Sequence, residues 1–245
     1  MKKPDGYYLK VTAYINKENF KQEKKNGKEI GLDFGIKTNI TTSEGEKLDV
    51  NVEESDRLKK LQREMFRRTK GSNNRYKTIK LIRREYQKLS NQKQDKANKI
   101  VHKLKAYDRI YMQDEQIANW HKGLFGKQVQ HSCMGLVKAK LKELPQTVVL
   151  DKWIPTTKLC PVCGRKHSIS LNERTYVCEC GYSEDRDIHS AKNMIHIAKS
   201  CFENNIVPTE HREITLMEFK ASSLNVGNIQ AKSGRGSEKI MPFKA

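Results

Sequence analysis

No stretch of this sequence approaches the ~20 consecutive apolar residues that a membrane-spanning helix requires. The opening Met1-Lys2-Lys3-Pro4-Asp5 lacks the apolar core of a signal peptide, so the chain is expected to work in the cytoplasm, away from membranes. No internal repeat is visible. Acid is scarce: 29 Asp and Glu stand against 48 Lys and Arg, a formal charge of +19. Such an excess repels itself in a compact chain unless a polyanion neutralises it. Nucleic acid fits that role, although ribosomal or membrane-surface binding would carry the same excess. Cysteine is sparse and unevenly placed, with four of six between positions 160 and 180. In an intracellular chain that crowding points to a metal before disulfides. A length of 245 residues allows one generous domain, or one domain carrying a small insert.

Local patterns place the elements. Gly6 to Ile15 is rich in aromatic and β-branched residues and reads as a strand. Glu29 to Gly35 and Thr38 to Thr42 read as a β-hairpin whose first strand carries one acid, Asp33, among apolar neighbours. From Glu53 to about Leu104 the period turns helical, with Leu58, Leu61 and Met65, then Ile79, Ile82, Tyr86 and Leu89 on one face. Gly71-Ser72-Asn73-Asn74 breaks it into a helical hairpin. Its other faces carry Arg67, Arg68, Lys70, Arg75, Lys77, Lys80, Arg83 and Arg84, a basic surface long enough to follow a phosphate backbone. Tyr107 to Met112 is a third strand, running into Gln113-Asp114-Glu115. A helix is expected from Gln128 to Leu144, ended by Pro145; Thr147 to Leu150 is a short buried strand, and Asp187 to Lys199 a closing helix with Ala191, Met194 and Ile195 on one face. After Phe202 periodicity is lost, and Ser233 to Ser237 has the composition of a disordered tail.

Two sets of residues carry chemistry. Cys160-Pro161-Val162-Cys163 and Cys178-Glu179-Cys180-Gly181 form two close thiolate pairs, the donor set of a tetrahedral zinc site. The second pair has one intervening residue where two are usual, which predicts a distorted knuckle, and His167 is an alternative ligand. Cys133 and Cys201 stand at apolar positions and are expected in the core. The second set is acidic: Asp33, then Glu115 or its neighbour Asp114, then Asp187 in Glu184-Asp185-Arg186-Asp187, all at element boundaries. Phosphodiester hydrolysis uses hard oxygen ligands gathered in this way to hold two Mg²⁺ ions. Asp185 or Asp187 would also serve as an N-cap of the closing helix.

The motifs in their order resemble one family over roughly residues 7 to 200. Gly31-Leu32-Asp33-Phe34-Gly35 resembles the first RuvC motif, and Tyr111-Met112-Gln113-Asp114-Glu115 followed by Trp120 the second. The cysteine pairs leading into Asp185-Arg186-Asp187-Ile188-His189-Ser190-Ala191-Lys192-Asn193 resemble the zinc ribbon and third motif of the TnpB family, transposon-encoded RNA-guided DNA nucleases. The resemblance implies catalytic, magnesium-holding acids at Asp33, Glu115 and Asp187, and a structural zinc on Cys160, Cys163, Cys178 and Cys180. Relatives commonly have Glu-Asp where this chain has Gln113-Asp114. Because a strand alternates faces, Glu115 shares a side with Gln113 and is preferred to Asp114 as the second acid. His189 and Ser190 replace the family's usual Asn and Ala.

The implied fold is α/β: an RNase H-like (RuvC) mixed sheet with flanking helices, a helical hairpin insert and a zinc ribbon insert. The expected domains are a remnant of an N-terminal wedge over 1–28, a RuvC-like nuclease domain over 29–156 with its hairpin at about 53–105, the ribbon over 157–184, a last RuvC segment over 185–202 and a basic tail over 203–245. Complete members carry an N-terminal half that grips guide RNA, so the chain resembles an N-terminally truncated member. The expected function is a metal-dependent DNA endonuclease partnered by DNA and guide RNA. A nuclease-inactive RNA- or DNA-binding regulator or decayed transposon fragment is the alternative, and a DNA-joining transposase a third.

Overall fold

The structure is a computed structural model that describes residues 2–4, 6–14, 25–170 and 172–203. Its centre is a five-stranded mixed sheet. Strands β3 (Glu29–Phe34), β4 (Ile40–Thr42) and β5 (Lys47–Leu48) form an antiparallel meander, and β6 (Arg109–Gln113) and β7 (Thr147–Leu150) add in parallel on the other side of β3. The order is β5-β4-β3-β6-β7, with Leu32 beside Met112 and Met112 beside Val149. Parallel neighbours need crossovers. Between β3 and β6 the crossover includes the helical pair α1 (Asp56–Arg67) and α2 (Asn73–Leu104). Between β6 and β7 it is α3 (Ile117–Trp120), α4 (Gly126–His131) and α5 (Met134–Lys142).

Strand alternation divides the core. Ile30, Leu32, Phe34, Ile110 and Met112 pack with Ala97, Val101 and Leu104 of α2 and Met134, Val137 and Leu141 of α5. On the opposite face Tyr111 joins Met194, Ile197, Ala198 and Cys201 of the closing helix α6 (Arg186–Glu203). Gly31 and Asp33 fall on that second face. A Cβ on Gly31 would lie 1.9 Å from the Ala191 carbonyl oxygen, so only glycine lets α6 approach β3 this closely. Asp185 caps α6, its Oδ1 accepting from the amides of Asp187 (2.9 Å) and Ile188 (3.3 Å). Cys133 and Cys201 are both buried, as their apolar settings predict.

The hairpin follows its sequence signals. Ser55 and Ser72 cap α1 and α2 by accepting from Leu58 N and Arg75 N, and Leu58, Leu61 and Ile82 form its apolar seam. Two of the basic residues are spent on the turn. Arg75 Nη1 donates to Met65 O at 2.6 Å, and Arg68 Nη1 to Asn74 O at 2.6 Å, satisfying carbonyls near the connection.

Three expectations are corrected. The strand over Gly6 to Ile15 exists only as β2 (Gly6–Tyr7), paired antiparallel with β1 (Lys2–Lys3). Residues 8–14 are exposed and find no ladder partner among the described residues, and Ile15 lies outside them. The helix over Gln128 to Leu144 is two helices. Cys133 N bonds Val50 O and Val52 N bonds His131 O, both at 2.8 Å, so strand-like pairing with residues 50–52 interrupts the helical ladder at Ser132-Cys133. The closing helix begins at Arg186 and runs to Glu203, past the expected Lys199. The expected tail from 204 onward, including Ser233 to Ser237, lies outside the described residues. No described helix is long and apolar enough to cross a membrane.

Candidate functional site

Asp33 is the penultimate residue of β3, Glu115 lies two residues beyond β6, and Asp187 is the second residue of α6. All three line one pocket of about 850 Å³. Its wall also carries Lys37, Lys158, Arg174 and Arg186, with Trp120 and Phe125 as an aromatic side. Asp114 turns away to pair with Lys142 of α5. The two neighbouring acids therefore diverge, and Glu115 is the one that faces Asp33.

The electrostatics show that Asp33 feels the other two carboxylates. Burial pushes the Asp33 carboxyl well above its ordinary range, and the charges of Glu115 and Asp187 push the same way; a hydrogen bond from Ser190 opposes them. Burial raises Glu115 to about 7, against the pull of Lys138. Lys138, on the otherwise apolar inner face of α5, has a side chain only 6% exposed. Its Nζ donates to the Glu115 carbonyl at 2.6 Å and lies 4.0 Å from Glu115 Oε2, an oxygen buried with no hydrogen-bond partner. Burial lowers Lys138 to about 8 while Glu115 opposes the shift. Mutually repelling, partly buried acids with an unpartnered oxygen fit the hard oxygen set that a divalent cation takes.

Gln113, where the resemblance places a glutamate, has a structural job. Its Nε2 donates to Asp151 O (3.0 Å) and Ile154 O (2.8 Å), and its Oε1 lies 3.4 Å from Thr156 Oγ1. Thr156 Oγ1 is 3.1 Å from Ser190 Oγ, which is 3.1 Å from Asp33 Oδ1. Sequence reasoning missed Lys138 and Thr156. A lysine amid Met134, Val137 and Leu141 was a visible signal for the first; the second is recognisable only from tertiary contacts.

The four thiols converge more tightly. Cys160, Cys163, Cys178 and Cys180 have all Sγ atoms within 4.8 Å of one another, with Cys160 to Cys180 at 3.6 Å and Cys163 to Cys178 at 3.5 Å. Tetrahedral zinc with bonds of about 2.3 Å sets sulfurs about 3.8 Å apart, so the quartet fits that ion. Gly164 and Gly181 take positive φ (70° and 90°) and let each turn close, with Gly164 N bonding Cys160 O and Gly181 N bonding Cys178 O. His167 Nε2 lies 3.2 Å from Cys178 Sγ, beside the quartet. Strands β8 (Thr175–Val177) and β9 (Ser183–Asp185) finish this lobe and deliver the chain into α6.

Two family models and a named relative match parts of this chain. The family described as "Probable transposase" (OrfB_IS605) matches residues 10–114, the segment that carries Asp33. The family described as "Cas12f1-like, TNB domain" matches residues 135–194, which hold the cysteine quartet and Asp187. A protein of Streptomyces pristinaespiralis named "Putative RNA-guided DNA endonuclease" is 30% identical over 177 residues, covering 68% of this chain and 44% of the relative. This chain thus spans less than half the length of that relative. With both family matches falling in motif order on the acid pocket and the thiol quartet, the chain belongs to the TnpB family of transposon-encoded proteins.

Proposed function

We propose that this chain is a RuvC-type, metal-dependent DNA endonuclease that works with a guide RNA. The observation that carries the reading is the meeting of Asp33, Glu115 and Asp187, from three distant parts of the chain, on one pocket wall. The β5-β4-β3-β6-β7 order with helices on both faces suits an RNase H-like core. In this reading residues 29–156 and 185–202 build the nuclease domain, about 53–105 its basic hairpin and 157–184 a zinc ribbon, flanked by a wedge segment over 1–28 and a tail over 203–245.

Asp33, Glu115 and Asp187 would hold Mg²⁺, which when bound activates water and stabilises the leaving oxygen of a phosphodiester. Lys37, Lys158, Arg174 and Arg186 attract the flanking phosphates, while Trp120 and Phe125 offer faces on which bases of an unpaired strand can stack. Cys160, Cys163, Cys178 and Cys180 would hold a structural zinc. The relative's printed name supports DNA as substrate and RNA as guide.

The test is cleavage of labelled single-stranded DNA by the purified chain with Mg²⁺, beside Asp33→Ala and an EDTA control. Cutting lost in both controls supports the reading. No cutting, with salt-sensitive RNA binding retained, supports a nuclease-inactive binder.

A further inference from the structure

We propose that Ser190 and Thr156 are positioning residues for Asp33, which makes the segment leading into the first cysteine pair part of the acid site. The inference rests on the reading of Asp33 as a cation ligand. A carboxylate on a strand can rotate about its side-chain bonds, and a ligand oxygen is useful only if that rotation is stopped. Ser190 supplies the stop. It stands one helical turn after Asp187, so the same turn of α6 delivers an acid and the hydroxyl that orients another. With its Oγ 3.1 Å from Asp33 Oδ1, it engages one carboxylate oxygen and leaves the other for a cation.

A serine hydroxyl has one hydrogen, so its direction must also be set. When Asp33 is ionised, Ser190 donates to it, and Ser190 Oγ then accepts from Thr156 Oγ1 at 3.1 Å. Thr156 is buried and cannot drift, because Asn193 Nδ2 donates to both Thr156 O (2.7 Å) and Leu159 O (2.6 Å). Asn193 lies one turn beyond Ser190 on α6, and Leu159 immediately precedes Cys160. The stem of the cysteine lobe and α6 are thereby joined through Thr156, Asn193 and Ser190, and the row ends on Asp33.

The experiment is a manganese titration of the full-length, zinc-loaded chain, followed by electron paramagnetic resonance, with melting temperatures measured alongside. Asp33→Ala should abolish tight binding. Ser190→Ala should weaken it about tenfold, the size of one hydrogen bond to a charged group. Thr156→Val, equal in shape but without the hydroxyl, should weaken it roughly threefold, and Thr156→Ser should restore the parent value. A packing defect would give the reverse order, since serine loses the methyl that valine keeps. Parent-like affinity in Ser190→Ala or in Thr156→Val overturns the inference while leaving the acid site standing. Binding absent from the parent, or surviving Asp33→Ala, overturns the acid-site reading and this inference with it.

Discussion

The His189 ring lies flat on the Tyr176 ring, with centroids 3.8 Å apart and planes inclined by 16°. His189 is two residues past Asp187 on α6, and Tyr176 is the central residue of β8 between the cysteine pairs. Both are wholly buried. The contact joins the helix that carries one of the acids to the lobe that carries the thiols. A stacked pair of this kind contributes about 1 kcal/mol beyond the area it buries.

That burial makes stability depend on pH. Desolvation holds His189 at about 4, below its ordinary 6.5, with the charge of Glu184 opposing. Between these values the unfolded chain binds a proton that the folded chain refuses, so stability falls as pH drops through this window, by at most on the order of 3 kcal/mol. His189→Phe keeps a flat ring and removes the titration. Melting curves of parent and variant should converge as pH falls from neutral towards 4, losses at the thiols being common to both; parallel curves would refute a neutral buried His189.

Serine at both Cys160 and Cys163 should release about one zinc per chain and lower the melting temperature, because the quartet closes the lobe on which Tyr176 and the stem depend. Zinc content by plasma mass spectrometry is the measurement. An unchanged content would remove the assignment.

Gly31→Ala should be among the most damaging small substitutions in the chain. The added methyl meets the Ala191 carbonyl oxygen, a backbone atom, at 1.9 Å, so β3 and α6 must separate. A loss of more than about 3 kcal/mol in urea unfolding is expected, at the severe end of overpacking. A loss below about 1 kcal/mol would mean the helix shifts without cost.

Much of this arrangement is legible in the sequence. The apolar neighbours of Asp33 predict the β3–β4 hairpin, and the break at Gly71 to Asn74 predicts the turn between α1 and α2. The thiol spacing predicts the quartet, which the structure closes to within 4.8 Å. What sequence did not show depends on contacts between distant segments. Ser132-Cys133 reads as helix until residues 50–52 compete for its backbone, and Tyr8 to Tyr14 reads as strand although no ladder forms along it among the described residues. Asp185 and Asp187 were equivalent as cap candidates; Asp185 takes the cap, which leaves the Asp187 side chain to line the pocket.

Lys138→Met tests whether the buried ammonium stands in for a cation. Removing it leaves the Glu115 carbonyl with only the Ile117 amide as donor and takes the Lys138 charge from beside the carboxylate. Breaking a buried pair from one side costs about 3 kcal/mol. Millimolar Mn²⁺ should recover more stability in the variant than in the parent, since a bound cation replaces the missing charge. Equal recovery in both would separate Lys138 from the acid pocket.

The helical hairpin offers a contrast within one basic surface. Lys77, Lys80, Arg83 and Arg84 are exposed, whereas Arg75 donates to Met65 O and Arg68 O and Arg68 to Asn74 O. Glutamine at Lys77, Lys80 and Arg83 should weaken binding of a duplex and reduce the slope of log affinity against log salt by roughly one for each lost phosphate contact, with little change in stability. Arg75→Gln should do the opposite, costing about 1 kcal/mol through the charged donor it takes from the Met65 and Arg68 carbonyls, with the salt slope unchanged. Filter binding at several salt concentrations, beside urea melts, separates the two. A salt slope that falls equally in both variants would show that Arg75 reaches the phosphates, and that the turn does not hold it.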